Sequence, residues 1–353
     1  MDKSNLSAHS CRCDGCGSDM IYNPDRGALY CDSCKKAKAV VANKEYSKHD
    51  LHNMSPVGDA NKAWAEENKA LKCKNCGASV VLQGYQLSCH CPYCSSALVA
   101  DEKVVVGHKP DAVVPFRFGK GRAEELFKAK IKKNWFAPKK FKQNVAADNI
   151  EAYYFPAFVY DCDCRSTYSG ELYESYTVHR RDGRTDTRRR YFYISGNRST
   201  RHEGVEIEAS TKLEQHQLNS VRPYDISQAV GYSNEYIAGY PLETYSSGIK
   251  ETFQVATKII KDDIRREILS GYRYDGVVSF NMQTQFFNEK YTYCILPMYR
   301  INYKYKEKNY SNVMNGQTGA LGGKTPKSGV KITMCVLLPI LFILAIILAV
   351  NLI

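Results

Sequence analysis

Apolar positions along the chain follow three patterns. The last is an unbroken run: residues 332–353 (ITMCVLLPILFILAIILAVNLI) hold 22 residues without a charge. As an α-helix this run is roughly 33 Å long, enough to cross a hydrocarbon core of about 30 Å. A core helix of that length would carry a polar face, and this one has none. Pro339 lies within it, as membrane helices tolerate. Lys324, Lys327 and Lys331 precede the run and nothing basic follows. The positive-inside rule then predicts a single-pass, tail-anchored protein of the cell membrane with its bulk in the cytosol. The amino terminus has no apolar h-region, and its second residue is Asp2 where myristoylation requires glycine, so neither a signal peptide nor that lipid is expected.

The second pattern, across 111–325, mixes helical and alternating periods. Residues 122–135 form an amphipathic helix with Leu126, Phe127 and Ile131 on one side and Lys128, Lys130, Lys132 and Lys133 elsewhere, stopped by Pro138. Residues 248–270 form a second, with Phe253, Ala256, Ile260 and Ile264 at helical spacing and an Asp262–Arg266 i,i+4 pair. Strands are expected at 152–160, 168–179, 189–195, 205–209, 277–285 and 291–305. Pro156 marks a bulge or an edge, and Asp182-Gly183, Gly196-Asn197 and Asn315-Gly316 mark turns. The predicted body is an α+β domain on an antiparallel sheet.

The third pattern is short apolar triplets punctuated by cysteine. Ten of the fourteen cysteines precede residue 95. Cys13-x2-Cys16 is followed after fourteen residues by Cys31-x2-Cys34, and Cys73-x2-Cys76 after fourteen by Cys91-x2-Cys94. Every member recurs 60 positions later, and Gly17 recurs as Gly77. In a reducing compartment such pairs are metal ligands, and four thiolates at tetrahedral geometry suit zinc. Residues 20–22 and 80–82 read as short strands, with Gly27 and Gly84 in the turns. This predicts two small zinc ribbons, 1–40 and 70–100, each with one structural zinc, joined by a polar linker over 41–69 that contains Pro56 and Gly58. Each site is closed, so neither activates water. Cys11 and Cys89 face Leu71 and Leu29 in the repeat and are expected to be non-ligands; His90 is expected at the surface.

Other candidates carry less chemistry. His49-x2-His52 lacks a carboxylate context and reads as solvated. Cys162 and Cys164 share a strand face and read as packing residues, far in sequence from Cys294. Cys335 is an apolar filler of the span. Gly319 to Thr325 imitates a P-loop, but position 318 is Thr and the span follows at once. Arginines 180, 181, 184, 188, 189, 190, 198 and 201 cluster around two loops, where they are either a solvated hairpin tip or a phosphate site on nucleic acid or lipid. The formal charge of +12 fits an anionic bilayer and nucleic acid equally. No nucleophile–base pair, carboxylate pair or open metal site is legible, so no enzyme is expected.

Residues 154–163 (YFPAFVYDCD), 231–245 (GYSNEYIAGYPLETY) and 295–326, together with the ribbons and the anchor, resemble the bacterial TFIIB-type zinc-ribbon membrane proteins over nearly the whole chain. That resemblance implies a place in a membrane-stress complex beside PspA-like and SPFH (flotillin-type) proteins, and no catalytic residues. The expected function is a membrane-anchored adaptor that recruits a cytosolic or membrane protein partner through its ribbons. The alternative is a membrane-tethered nucleic-acid binder.

Overall fold

The computed structural model describes residues 11–53, 64, 68–83, 88–94, 96–99, 108–143, 149–181 and 183–351. The chain opens with a three-stranded antiparallel sheet, β1 (Ile21–Asn23), β2 (Ala28–Tyr30) and β3 (Ala37–Ala39). Next come β4 (His49–Asp50) and two hairpins, β5 (Asn68–Lys72) with β6 (Ser79–Gln83) and β7 (Ser88–His90) with β8 (Ala97–Val99). The body then runs through β9 (Ala112–Val113), α1 (Lys120–Lys133), α2 (Lys139–Gln143), β10 (Asn149–His179), β11 (Thr185–Glu208) and α3 (Gln215–Val221). It continues with β12 (Val230–Gly231), β13 (Leu242–Glu243), α4 (Ile249–Ser270), β14 (Gly276–Tyr305), β15 (Lys308–Asn315) and β16 (Leu321–Gly323), and ends in α5 (Gly329–Asn351).

Three very long antiparallel strands, β11, β10 and β14, form the frame. Six expected strands thereby merge into three. Gly196-Asn197, expected as a turn, pairs with Tyr168 and Thr167 in mid-ladder. Its glycine serves packing: a Cβ on Gly196 would lie 2.8 Å from the Tyr168 hydroxyl. The hairpin turn is at Gly183, with φ +78°; Asp182 lies outside the described residues.

The two halves of β10 bury differently, and the sequence pattern says why. Residues 152–160 are buried on both faces, as a continuous apolar run requires. From Cys162 to Leu172 even-numbered residues face inward or partly so, while odd ones face solvent. That inner face packs under α4, where Ile260, Ile264 and Ile268 meet Cys162, Cys164, Tyr168 and Phe280. The two cysteines are thus packing residues, with their sulfurs 3.8 Å apart. On α4, Arg266 pairs with Asp263 at i,i+3 instead of Asp262, since i+3 and i+4 are both neighbours on a helix.

Pro156 neither bulges nor edges β10; the register shifts lie at 160–163 and at 171–172. Its carbonyl accepts from Ala209 N–H, so its nitrogen points to the side where β11 has ended, with Ala157 the last pair. On that side β13 joins at Tyr154. The proline fills the gap between two partner strands, where no ladder donor is needed.

The stretch 41–69, expected as a linker, is built into the sheet over its first part; Pro56 and Gly58 lie outside the described residues. β4 pairs with β14, and Asn43 and Ser47 carbonyls accept from Gly231 N–H and the Thr292 hydroxyl. His49 and His52 do not share a ligand: they pair separately with Asp111 and Glu289. Polar composition misled the reading here, because backbone pairing needs no apolar side chain.

Beside β11, Arg222 pairs with Glu208, and Glu206 accepts from Tyr224 N–H at 3.2 Å. Burial pushes the Glu206 carboxyl up to about 7 from 4.5, against that N–H and the Arg222 charge. The folded state therefore holds a proton that the unfolded state releases near 4.5. This stability is present below pH 4.5 and is lost as pH rises through 7. Glu206→Gln should flatten that loss by about 3 kcal/mol. Urea melts of both proteins in detergent at pH 5 and pH 8 check it; an unchanged difference between the two pH values would refute the assignment.

Candidate metal centres

Each four-cysteine cluster is made by two tight turns. In the first, Cys13 and Cys16 precede β1, and Cys31 and Cys34 lie between β2 and β3. In the second, Cys73 and Cys76 lie between β5 and β6, and Cys91 and Cys94 between β7 and β8. The four sulfurs of each cluster lie within 4.8 Å of one another. Cys13–Cys34 and Cys16–Cys31 are 3.3 and 3.5 Å apart; Cys73–Cys94 and Cys76–Cys91 are both 3.5 Å. A tetrahedral ion with metal–sulfur bonds of about 2.3 Å has sulfur–sulfur edges of about 3.8 Å, so both sets fit a four-coordinate metal. Each cluster could hold one ion.

The turns explain the repeated glycine. Gly17 N–H donates to Cys13 O at 2.8 Å, and Gly77 N–H to Cys73 O at 2.7 Å. Both glycines have left-handed φ, +73° and +70°. Lys35 makes the same turn after Cys34 at φ +64°, where a side chain is costly. Of the two glycines expected in the strand connections, Gly27 turns between β1 and β2 at φ +60°, and Gly84 lies outside the described residues. Hydrogen bonds from the Ser18 hydroxyl and then its N–H hold the Cys16 thiol down at about 6, which favours the ligating thiolate. Cys91 is pushed up by burial.

Cys11 is buried near Asn234 O, outside the first cluster, as its repeat partner Leu71 is buried outside the second. The Cys89 side chain lies outside the described residues, while its backbone pairs with Leu98. His90 is exposed.

Neither unit stands apart from the body. Residues 231–245 bind both, a role that the sequence reading missed. On the first unit, Tyr22 N–H donates to Ala238 O, the Tyr240 hydroxyl donates to Tyr22 O, and Tyr236 meets the Tyr22 ring edge-on. On the second, Leu242 and Glu243 pair with Val81 and Val80, which extends the main sheet through β6 to β5. Tyr93, between Cys91 and Cys94, donates to the buried Glu243 carboxylate, as does the Ser210 hydroxyl at 2.7 Å. Lys212 donates to Cys76 O at 2.8 Å. The one available signal was four tyrosines and two glycines in fifteen residues, which marks packing without naming its partner.

The arginine cluster is largely spent on neighbours. Arg180, Arg190, Arg198 and Arg201 pair with Asp186, Glu174, Glu267 and Glu203, and Arg189 stacks 4.4 Å over the Tyr173 ring. A cleft of about 340 Å³ is lined by Tyr46, Lys48, Asp161, Asp225 and Cys294, and its Lys48 and Asp161 satisfy each other at 2.6 Å. At the far end, α5 is long and apolar enough to cross a membrane, and residues 329–348 have no buried portion. Residues 352 and 353 lie outside the described residues.

No family model matches the chain and no solved structure matches it. The chain is similar to the uncharacterized protein YdjG of Bacillus subtilis (strain 168), 25% identical over 326 residues that span 92% of each chain.

Proposed function

We propose that this protein is a zinc-bearing adaptor anchored in a membrane, with its bulk on the cytosolic side, which brings a protein partner to the bilayer. The observation that carries the reading is the pairing of two closed four-thiol sites with an uncovered apolar helix. Thiolate sets at tetrahedral spacing favour zinc over harder ions, and with every position filled by protein the ion serves structure. The TFIIB-type ribbon reading, and a place beside PspA-like or SPFH proteins, rest on the resemblance of the sequence motifs alone.

The units each give a face to the body, so the partner surface is sought on the β10–β11 arm. Its solvent face carries Tyr191 and Tyr193, 51% and 82% exposed, beside Arg189. Tyrosine and arginine dominate the centres of protein interfaces. The pairing of four arginines with carboxylates lowers the charge available to phosphates and favours a protein partner over nucleic acid.

The test is capture of the full-length protein from native membranes in detergent, beside Tyr191→Ser/Tyr193→Ser. A specific protein retained by the wild type and lost by the variant is the expected result. Nucleic acid without a stable protein companion would replace this reading with a tethered nucleic-acid binder.

A further inference from the structure

The connection between α1 and α2 is an uncovered aromatic corner set against the start of α5. Asn134 to Ala137 form a tight turn: Phe136 N–H donates to the Asn134 side chain at 3.1 Å, and Ala137 N–H to Asn134 O. The turn is held rigidly from behind, where Phe141 packs on Tyr303 and Tyr305, and Phe127 on Tyr303. It leaves Trp135 55% and Phe136 42% exposed.

The span begins at this corner. Ser328 N–H donates to Phe136 O at 2.8 Å, and the Asn134 side chain donates to Thr325 at 3.0 Å. Lys331, in the first turn of α5, donates to Trp135 O and Ala137 O and lies 5.4 Å over the Trp135 ring. Trp135 and Phe136 are therefore at the level where α5 would enter a bilayer. Around them the charge has one sign. Residues 126–143 hold seven lysines and no carboxylate. Lys130, Lys132, Lys133, Lys139 and Lys140 are exposed, with no carboxylate partner among the described residues, and Lys324 and Lys327 lie on the approach to the span.

We propose that this corner is a docking face for anionic phospholipid headgroups, with Trp135 and Phe136 seated at the headgroup boundary and the surrounding lysines on lipid phosphates. The inference rests on reading α5 as a membrane span. The amphipathic indole of Trp135 partitions to that depth, the apolar Phe136 ring inserts beside it, and clustered lysines beside a span are drawn to an anionic leaflet. Two points of attachment, the span and the corner, would fix how the body and its metal units face the bilayer.

Trp135 is one of two tryptophans, and the other, Trp64, is buried against Tyr232. Full-length protein is placed in nanodiscs of phosphatidylcholine alone, or with phosphatidylglycerol added. Trp135 emission is taken as the difference between wild type and Trp135→Ala, which spares Trp64. The expected result is a shift to shorter wavelength and loss of acrylamide quenching, stronger with phosphatidylglycerol. Lys132→Gln/Lys133→Gln/Lys139→Gln/Lys140→Gln, exposed positions, should remove that lipid dependence. Full acrylamide access in both discs overturns the proposal; equal protection in both overturns the role given to the lysines. Failure of the anchor itself reads differently, as protein released from native membranes by an alkaline wash.

Discussion

Cys73→Ser/Cys76→Ser is expected to unfold more of the protein than the unit that carries it. The unit's own core is six small or medium residues around Val80 and Cys91, too few to hold two hairpins without a metal. A structural zinc site is worth on the order of 10–16 kcal/mol, as much as the whole stability of a typical domain. In an appended module that loss would stay local. Here β6 carries the sheet past β13, and Tyr93 is a donor to Glu243, which is only 2% exposed. Removing the unit leaves a buried carboxylate short of a donor and opens the edge of β13. Hydrogen exchange followed by mass spectrometry checks this: fast exchange should spread from 68–99 into β13 and the adjoining part of β10. Free exchange confined to 68–99, with β10 fully protected, would mean that the unit is a separable module.

Gly239→Val is expected to detach the first unit. Gly239 has φ +84°, a conformation that a β-branched residue resists, and a Cβ there would lie 2.8 Å from Ile21 Cγ2. Strain of about 1–2 kcal/mol joins overpacking of about 1–3 kcal/mol. Both act at the contact where Tyr22 meets Ala238 and Tyr240. The four thiols of the first cluster are untouched, so the metal should still bind but be lost faster. Release to a chelator, followed with a colorimetric indicator, should show one of two ions leaving early. Two ions leaving at the wild-type rate would mean that docking contributes nothing to metal retention.

Both expectations come from a part of the chain whose importance was visible only as an odd richness in tyrosine. The cysteine spacing showed which eight residues converge, because a CxxC turn brings its two thiols together locally and only the pairing of two turns is left to the fold. It also excluded Cys11 through its repeat partner. The helices of the body and the apolar terminal helix were legible for the same reason, since a period of 3.6 is a local property. Strand lengths were not. Gly196 looks like punctuation, yet it makes room for Tyr168 within the β10–β11 ladder. A glycine kept for a close approach and one kept for a turn are identical in sequence.

By itself, then, the sequence determined the local elements: two four-thiol clusters, two amphipathic helices, an apolar helix with lysines before it, and strand-forming segments. Tertiary structure alone decided that 43–51 is bonded to the main sheet with His49 and Asp50 as a strand, that four of the eight arginines are ion-paired, that Trp135 lies beside the span, and that 231–245 joins both four-thiol units to the body. The physical reason is range. Ligand spacing and helical period act over a few residues, while β-pairing, ion pairs and the burial of Tyr22 or Glu243 join residues hundreds apart, and no local pattern encodes which partner each will meet.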